Sequence, residues 1–78
     1  MPKYFIDFQD GDILHRDGEG SDLLGFEHAR NEAIGMLPQI ASDELPDAED
    51  RKFIATVRDA SGKLLYRASL TFHGERLI

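Results

Sequence analysis

The sequence predicts an α+β domain of ββαββ order, in which an antiparallel sheet of two hairpins carries a single helix on one face. Three observations lead there. Apolar residues alternate with period two in residues 3–8 and again in residues 52–58 and 63–73, the pattern of half-buried strands. Between these regions Phe26, Ala29, Ala33, Met36/Leu37, Ile40 and Ala41 recur at intervals of three and four, the period of a helix. Turn residues at Asp10-Gly11 and at Asp59-Ala60-Ser61-Gly62 divide each strand pair.

Lys3 to Phe8 forms the first strand, with Tyr4, Ile6 and Phe8 on one face and Lys3, Phe5 and Asp7 on the other. Asp10-Gly11 is a strong hairpin signal, because a tight turn needs positive φ. Asp12 to Arg16 is the return strand. A two-residue turn centred on Asp10-Gly11 sets Phe8 opposite Ile13 and Ile6 opposite His15. Asp17 to Asp22 (D-G-E-G-S-D) reads as a turn-rich loop. The helix then runs from Phe26 to about Ser42, with Gly25 as N-cap and Glu27 in the first turn, where the macrodipole favours an anion. Gly35 weakens it. Pro38 cannot donate to the Ile34 carbonyl and bends it. Because the apolar stripe continues through Pro38, one bent helix is expected rather than two.

Pro46 marks the stop, and Ser42 to Asp50 is an acidic connector. Lys52 to Arg58 is the third strand and Lys63 to His73 the fourth. A four-residue connection pairs Val57 with Leu64 and Ala55 with Tyr66; a bulge at Gly62 would shift that register. The expected core is Tyr4, Ile6, Phe8, Ile13, Ala29, Ala33, Leu37, Ile40, Phe53, Ala55, Val57, Leu64, Tyr66, Ala68, Leu70 and Phe72. Residues 1–78 make one domain, and strand order is left open.

Charge is divided along the chain. Residues 1–50 carry thirteen Asp/Glu against three Lys/Arg, a net of −10, and residues 51–78 carry two against six, a net of +4. Such a split speaks to partners and solubility rather than to fold. A whole-chain charge of −6 disfavours general nucleic-acid binding, which needs clustered Lys/Arg. At 41% hydrophobic the chain is too apolar for disorder. It has no cysteine, so neither disulfides nor thiolate ligands supplement a core that is thin at this length. Self-association is one way to supplement it. Neither a signal-peptide pattern nor a membrane-spanning run is present, which sets the expectation of a cytoplasmic protein.

Candidate chemistry is sparse. Carboxylates in glycine-bearing loops suit Ca²⁺, but counting from Asp17 the sixth position is Asp22 rather than Gly and the twelfth is His28 rather than Glu. His15, His28 and His73 lack metal-ligand spacing. None of the serines sits in a nucleophile elbow, and no phosphate-cradling glycine motif occurs. The expectation is a non-enzyme needing no cofactor or metal. What remains is surface. Asp43, Glu44, Asp47, Glu49 and Asp50 form an acidic group suited to a basic protein partner, or are simply a solvated connector. Phe5, Leu14, Ile54 and Leu65 fall on the sheet face opposite the helix and would serve a partner or a second copy if they cluster; scattered, they are ordinary. Arg58 and Arg67 on that face are candidate phosphate contacts.

The opening M-P-K-Y-F-I-D-F, the D-G hairpin, D-x-E-G, the helical A-R-N-E-A-I-G-M-L-P-Q-I-A and D-E-L-P-D together resemble a family of short uncharacterised proteins common in soil-dwelling and plant-associated proteobacteria. Its members open M-P-[RK]-Y-[FY]-F-D, carry a helical L-P-x-I-A run and end in an R-D-x-x-G hairpin, here Arg58 to Gly62. Ile6 stands where Phe is usual. The resemblance implies the ββαββ fold, makes Pro38 and the L-P-D connector fold features, and carries no activity. A looser likeness, of architecture and charge alone, is to HicB-type antitoxins, acidic proteins that neutralise a basic partner; fold by itself does not give function.

Overall fold

The structure is a computed structural model and describes residues 1–45 and 49–78. Its elements are β1 (Lys3–Asp10), β2 (Ile13–His15), β3 (Ser21–Asp22), α1 (Phe26–Glu44), β4 (Asp50–Asp59) and β5 (Leu64–His73). They form the expected α+β fold, one antiparallel sheet with one helix. Strand order is β2-β1-β4-β5. β4 occupies one edge of β1, so β2 and β3 share the other, β2 against Phe8–Asp10 and β3 against Lys3–Tyr4.

The pleat alternates as the sequence implies, with Ile6, Phe8, Phe53, Ala55 and Val57 on the helix side. Along α1, Ala29, Ala33, Leu37 and Ala41 are buried, a strict spacing of four that makes one stripe. Three of these four are alanines, so the helix backbone comes close to the sheet. Phe53 and Val57 from β4 are the largest fully buried side chains. Phe8 stacks between His15 and Phe53, with ring centroids 5.8 and 6.2 Å away.

α1 is one helix through Pro38 and extends to Glu44, past the expected end at Ser42; the Leu45 amide closes it on the Ala41 carbonyl. The stop signal Pro46 lies outside the described residues. Gly35 faces open space, with nothing within 4 Å of where a Cβ would stand. Gly35→Ala is therefore expected to add about 0.8 kcal/mol of stability, read as a higher urea midpoint at unchanged slope.

Four expectations need correction. The first turn is Gly11-Asp12, not Asp10-Gly11: Asp10 pairs with Ile13 and Phe8 with His15. Of these two turn residues Gly11 alone has positive φ, at 58°, the pattern of a II′ turn with glycine first. The shift is two residues, so every side chain keeps its face. Within the loop read as Asp17–Asp22, Ser21–Asp22 pairs with β1 as a short strand. The second hairpin does contain a bulge. Val57 pairs with Tyr66 and Arg58 with Leu64, leaving Leu65 as the extra residue. Gly62 at φ 92° closes the turn onto the Asp59 carbonyl, and the Asp59 carboxylate accepts from the Ser61 amide and hydroxyl and the Lys63 amide. As a result Leu65 packs against the core while Leu64 is 57% exposed. Ile13 and Leu70, also expected in the core, are exposed: Ile13 belongs to a three-residue strand at one sheet edge, and Leu70 to the strand at the other edge.

Candidate partner-binding surface

β2 and β3 leave the middle of the β1 edge uncovered. There the backbone amide of Ile6 points outward, and the Asp17 carboxylate accepts its hydrogen bond at 3.0 Å. The same carboxylate accepts from the amides of Glu19 and Gly20. Asp7, on the face away from the helix, accepts from the Asp17 amide at 2.9 Å. Arg58, on the adjacent strand, donates to Asp7 through Nε at 2.8 Å and to the Asp17 carbonyl through Nη2 at 2.7 Å. Its guanidinium lies 4.5 Å from the centre of the Phe5 ring. Gly20 completes the cover: with φ 72°, a Cβ there would stand 2.9 Å from both Lys3 Cγ and Phe5 Cε1, so both its conformation and its closeness call for glycine.

Asp7 is only 8% exposed. Burial pushes its pKa up, but the Arg58 guanidinium and the Asp17 amide outweigh that and hold it below the usual carboxylate range. For Asp17 burial also acts upward, and the Gly20, Ile6 and Glu19 amides with the Arg58 charge bring it down. The cluster is a lock on an ordered loop, with every buried side-chain polar atom among the described residues satisfied.

The open-face apolar residues stand apart from one another. Phe5 lies beneath Arg58 and Gly20. Leu14 and Ile54 share a row across the sheet, separated by Gln9. Leu65 is turned into the core by the bulge. Arg58, read as a phosphate contact, has its side chain 12% exposed and committed to Asp7; neither its charge nor its edge is presented outward. Arg67 stands exposed opposite Thr56.

At the other end of the strands the acidic group meets cations of its own. Arg51 holds Asp10 through Nε at 2.8 Å and through a second, shorter contact, and its Nη2 reaches Glu44 at 3.4 Å. This positive charge faces the helix C-terminus, where Asp43 and Glu44 are otherwise unfavourable. Asp50 pairs across strands with His73 at 2.5 Å, and the hydrogen bond to Asp50 raises the His73 pKa. Asp43, Glu44, Glu49 and Asp50 are all exposed, while Asp47 lies outside the described residues.

The sequence pattern places Asp7 and Arg58 on the open face and does not join them to Asp17. The available signal was Asp7 itself, an acid in the interior of an aromatic strand, where β-propensity disfavours it. Among the described residues no group of three or more His, Cys, Asp or Glu is arranged to hold a metal ion, and no helix is long and apolar enough to cross a membrane.

No curated protein and no solved structure matches this chain. A family pattern does, over residues 3–71, from the first residue of β1 to within two residues of the end of β5. By that match the chain belongs to the family described as a domain of unknown function, DUF6894.

Proposed function

We propose that this chain is a non-enzymatic protein–protein interaction module of the cytoplasm that recruits a basic partner through its acidic surface. The observation that supports this most is how the positive charges are spent. Arg51 and Arg58 are occupied by Asp10, Glu44 and Asp7, whereas Asp12, Glu19, Asp22, Asp43 and Glu49 stand exposed. With a net charge of −6 and these carboxylates at the surface, the chain offers a partner an acidic field, and such a field steers basic proteins. A second reading, nucleic-acid contact of an antitoxin-like kind, draws on exposed Lys52 and Arg67 of the open face.

The test is a native pull-down with a salt gradient, with bound protein identified by mass spectrometry and absorbance followed at 260 nm. A basic protein should elute early in the gradient, and Asp43→Asn with Glu49→Gln should reduce its capture. Capture that resists both salt and this double substitution would sink the steering mechanism. Nucleic acid in the eluate would transfer the function to Lys52 and Arg67.

A further inference from the structure

β5 is an outer strand, and its far edge has no neighbour among the described residues. The Gly74 amide donates to the Glu49 carbonyl at 2.6 Å, which fixes the alternation. Phe72, Leu70, Ala68 and Tyr66 bond to β4, and His73, Thr71, Ser69 and Arg67 turn their N–H and C=O groups outward. This ten-residue edge has no proline and only Arg67 as a permanent charge, so it lacks most of the devices that keep edges from pairing. The chain then continues through residues 74–78 outside any helix or strand, with Leu77 and Ile78 86% and 107% exposed. The molecule is 53 Å long, against about 33 Å for a ten-residue strand, in keeping with a segment that runs on past the sheet.

We propose that a second copy of this chain pairs antiparallel along β5, about a two-fold axis at Thr71, with residues 74–78 of each copy lying along the first half of the other copy's β5. Side-chain alternation requires helix-side residues to meet helix-side residues, and charge selects among the registers that satisfy this. With Thr71 opposite Thr71, Arg67 of one copy meets Glu75 of the other, twice by symmetry. Leu70 meets Phe72 on the helix side. Moving the axis to Leu70 sets Arg67 against His73 and Glu75 against Leu65. Moving it to Phe72 sets Arg67 against Leu77. Of these registers, the Thr71 one joins the opposite charges. An isologous contact of this kind is self-complementary by construction, and its main-chain bonds extend the sheet as in β-augmentation. It is independent of the acidic-surface reading, since it uses the opposite charge balance and a different part of the chain.

Sedimentation equilibrium on the full chain tests it, with Arg67→Glu, Glu75→Arg, the two together, and Thr71→Pro. The wild type should sediment at twice the 8.8 kDa protomer mass. Each single reversal should weaken the dimer by about tenfold, and the double reversal should restore it, because the swapped charges meet again. Thr71→Pro removes an outward amide without touching the β4 ladder, and should give a monomer with an unchanged far-ultraviolet circular dichroism spectrum. A wild type that stays monomeric at every concentration overturns the proposal. So does a dimer indifferent to both reversals, or one that the double reversal fails to restore.

Discussion

Phe53→Ala is expected to leave a large fraction of this chain unfolded in water at room temperature. Volume is the reason. Four of the eight core residues among those described are Ala29, Ala33, Ala41 and Ala55, so the apolar mass is concentrated in very few side chains. Phe53 is the bulkiest of those fully buried, stacks on Phe8 and lies on the central strand. Truncating a buried Phe costs roughly 3–5 kcal/mol. A chain of this length has only roughly 4–12 kcal/mol in total. Urea unfolding followed by circular dichroism reads the loss directly. Leu64→Ala is the control: exposed beside the bulge, it should change stability by less than about 0.5 kcal/mol. Leu65→Ala should cost more than Leu64→Ala, since the bulge sends Leu65 and not Leu64 to the core. Equal effects at the two leucines would contradict that register.

Asp7→Ala is the second large effect, and it works by stranding partners. It leaves the Arg58 guanidinium beneath the loop without its carboxylate and the Asp17 amide without an acceptor. Removing one member of a buried pair costs about 3 kcal/mol. The loop itself should loosen, so the Ile6 amide, which depends on the Asp17 carboxylate, should exchange with deuterium faster than its neighbours facing β4. The acid limb carries the same signature. Asp7 and Asp17 both have folded-state pKa values below their ordinary 3.8, so at low pH the unfolded chain binds more protons than the folded one. Their contribution is complete above the unfolded value and drains away as pH falls through the depressed folded values. Wild-type stability should therefore drop steeply below about pH 4, and Asp7→Asn should flatten that slope. An unaltered slope would show that the pair carries no linked proton. His73 has the opposite sign: its raised pKa stabilises below its ordinary 6.5 and is lost as pH rises through the folded value. Its contact with Asp50 is open to solvent, and screening keeps that effect small.

Local signals carried most of the fold. The alanine-and-leucine stripe of α1 and the alternation of β4 and β5 are properties of neighbouring residues, and they identified both the elements and the side facing the helix. Register was less accessible. Asp10-Gly11 announced a hairpin, yet which residue takes positive φ decides the pairing, and the turn chose Gly11 with Asp12. Gly62 similarly marks a bulge without saying that Leu65 rather than Leu64 goes inward. The Asp7–Asp17–Arg58 lock lay furthest from view. Asp17 matters because β2 and β3 leave the Ile6 amide bare, and that vacancy exists only once three strands have been assembled. Strand order, too, depends on contacts between residues more than forty positions apart, such as Asp7 with Arg58. The open-face cluster of Phe5, Leu14, Ile54 and Leu65 failed to assemble for the same reason: an ion pair and a bulge, both tertiary, came between its members.

The central place of β4 has a further consequence, in the order of events during synthesis. β1, β5 and α1 all pack against β4, which supplies both of the largest fully buried side chains. Everything before Asp50 leaves the ribosome with only β1 to face the helix and no Phe53 to fill the space beneath it. That waiting segment carries twelve of the fifteen Asp/Glu and only three of the nine Lys/Arg. Like charges keep such a nascent chain expanded and apart from its neighbours, so the carboxylates of the first half act before there is a surface for them to occupy.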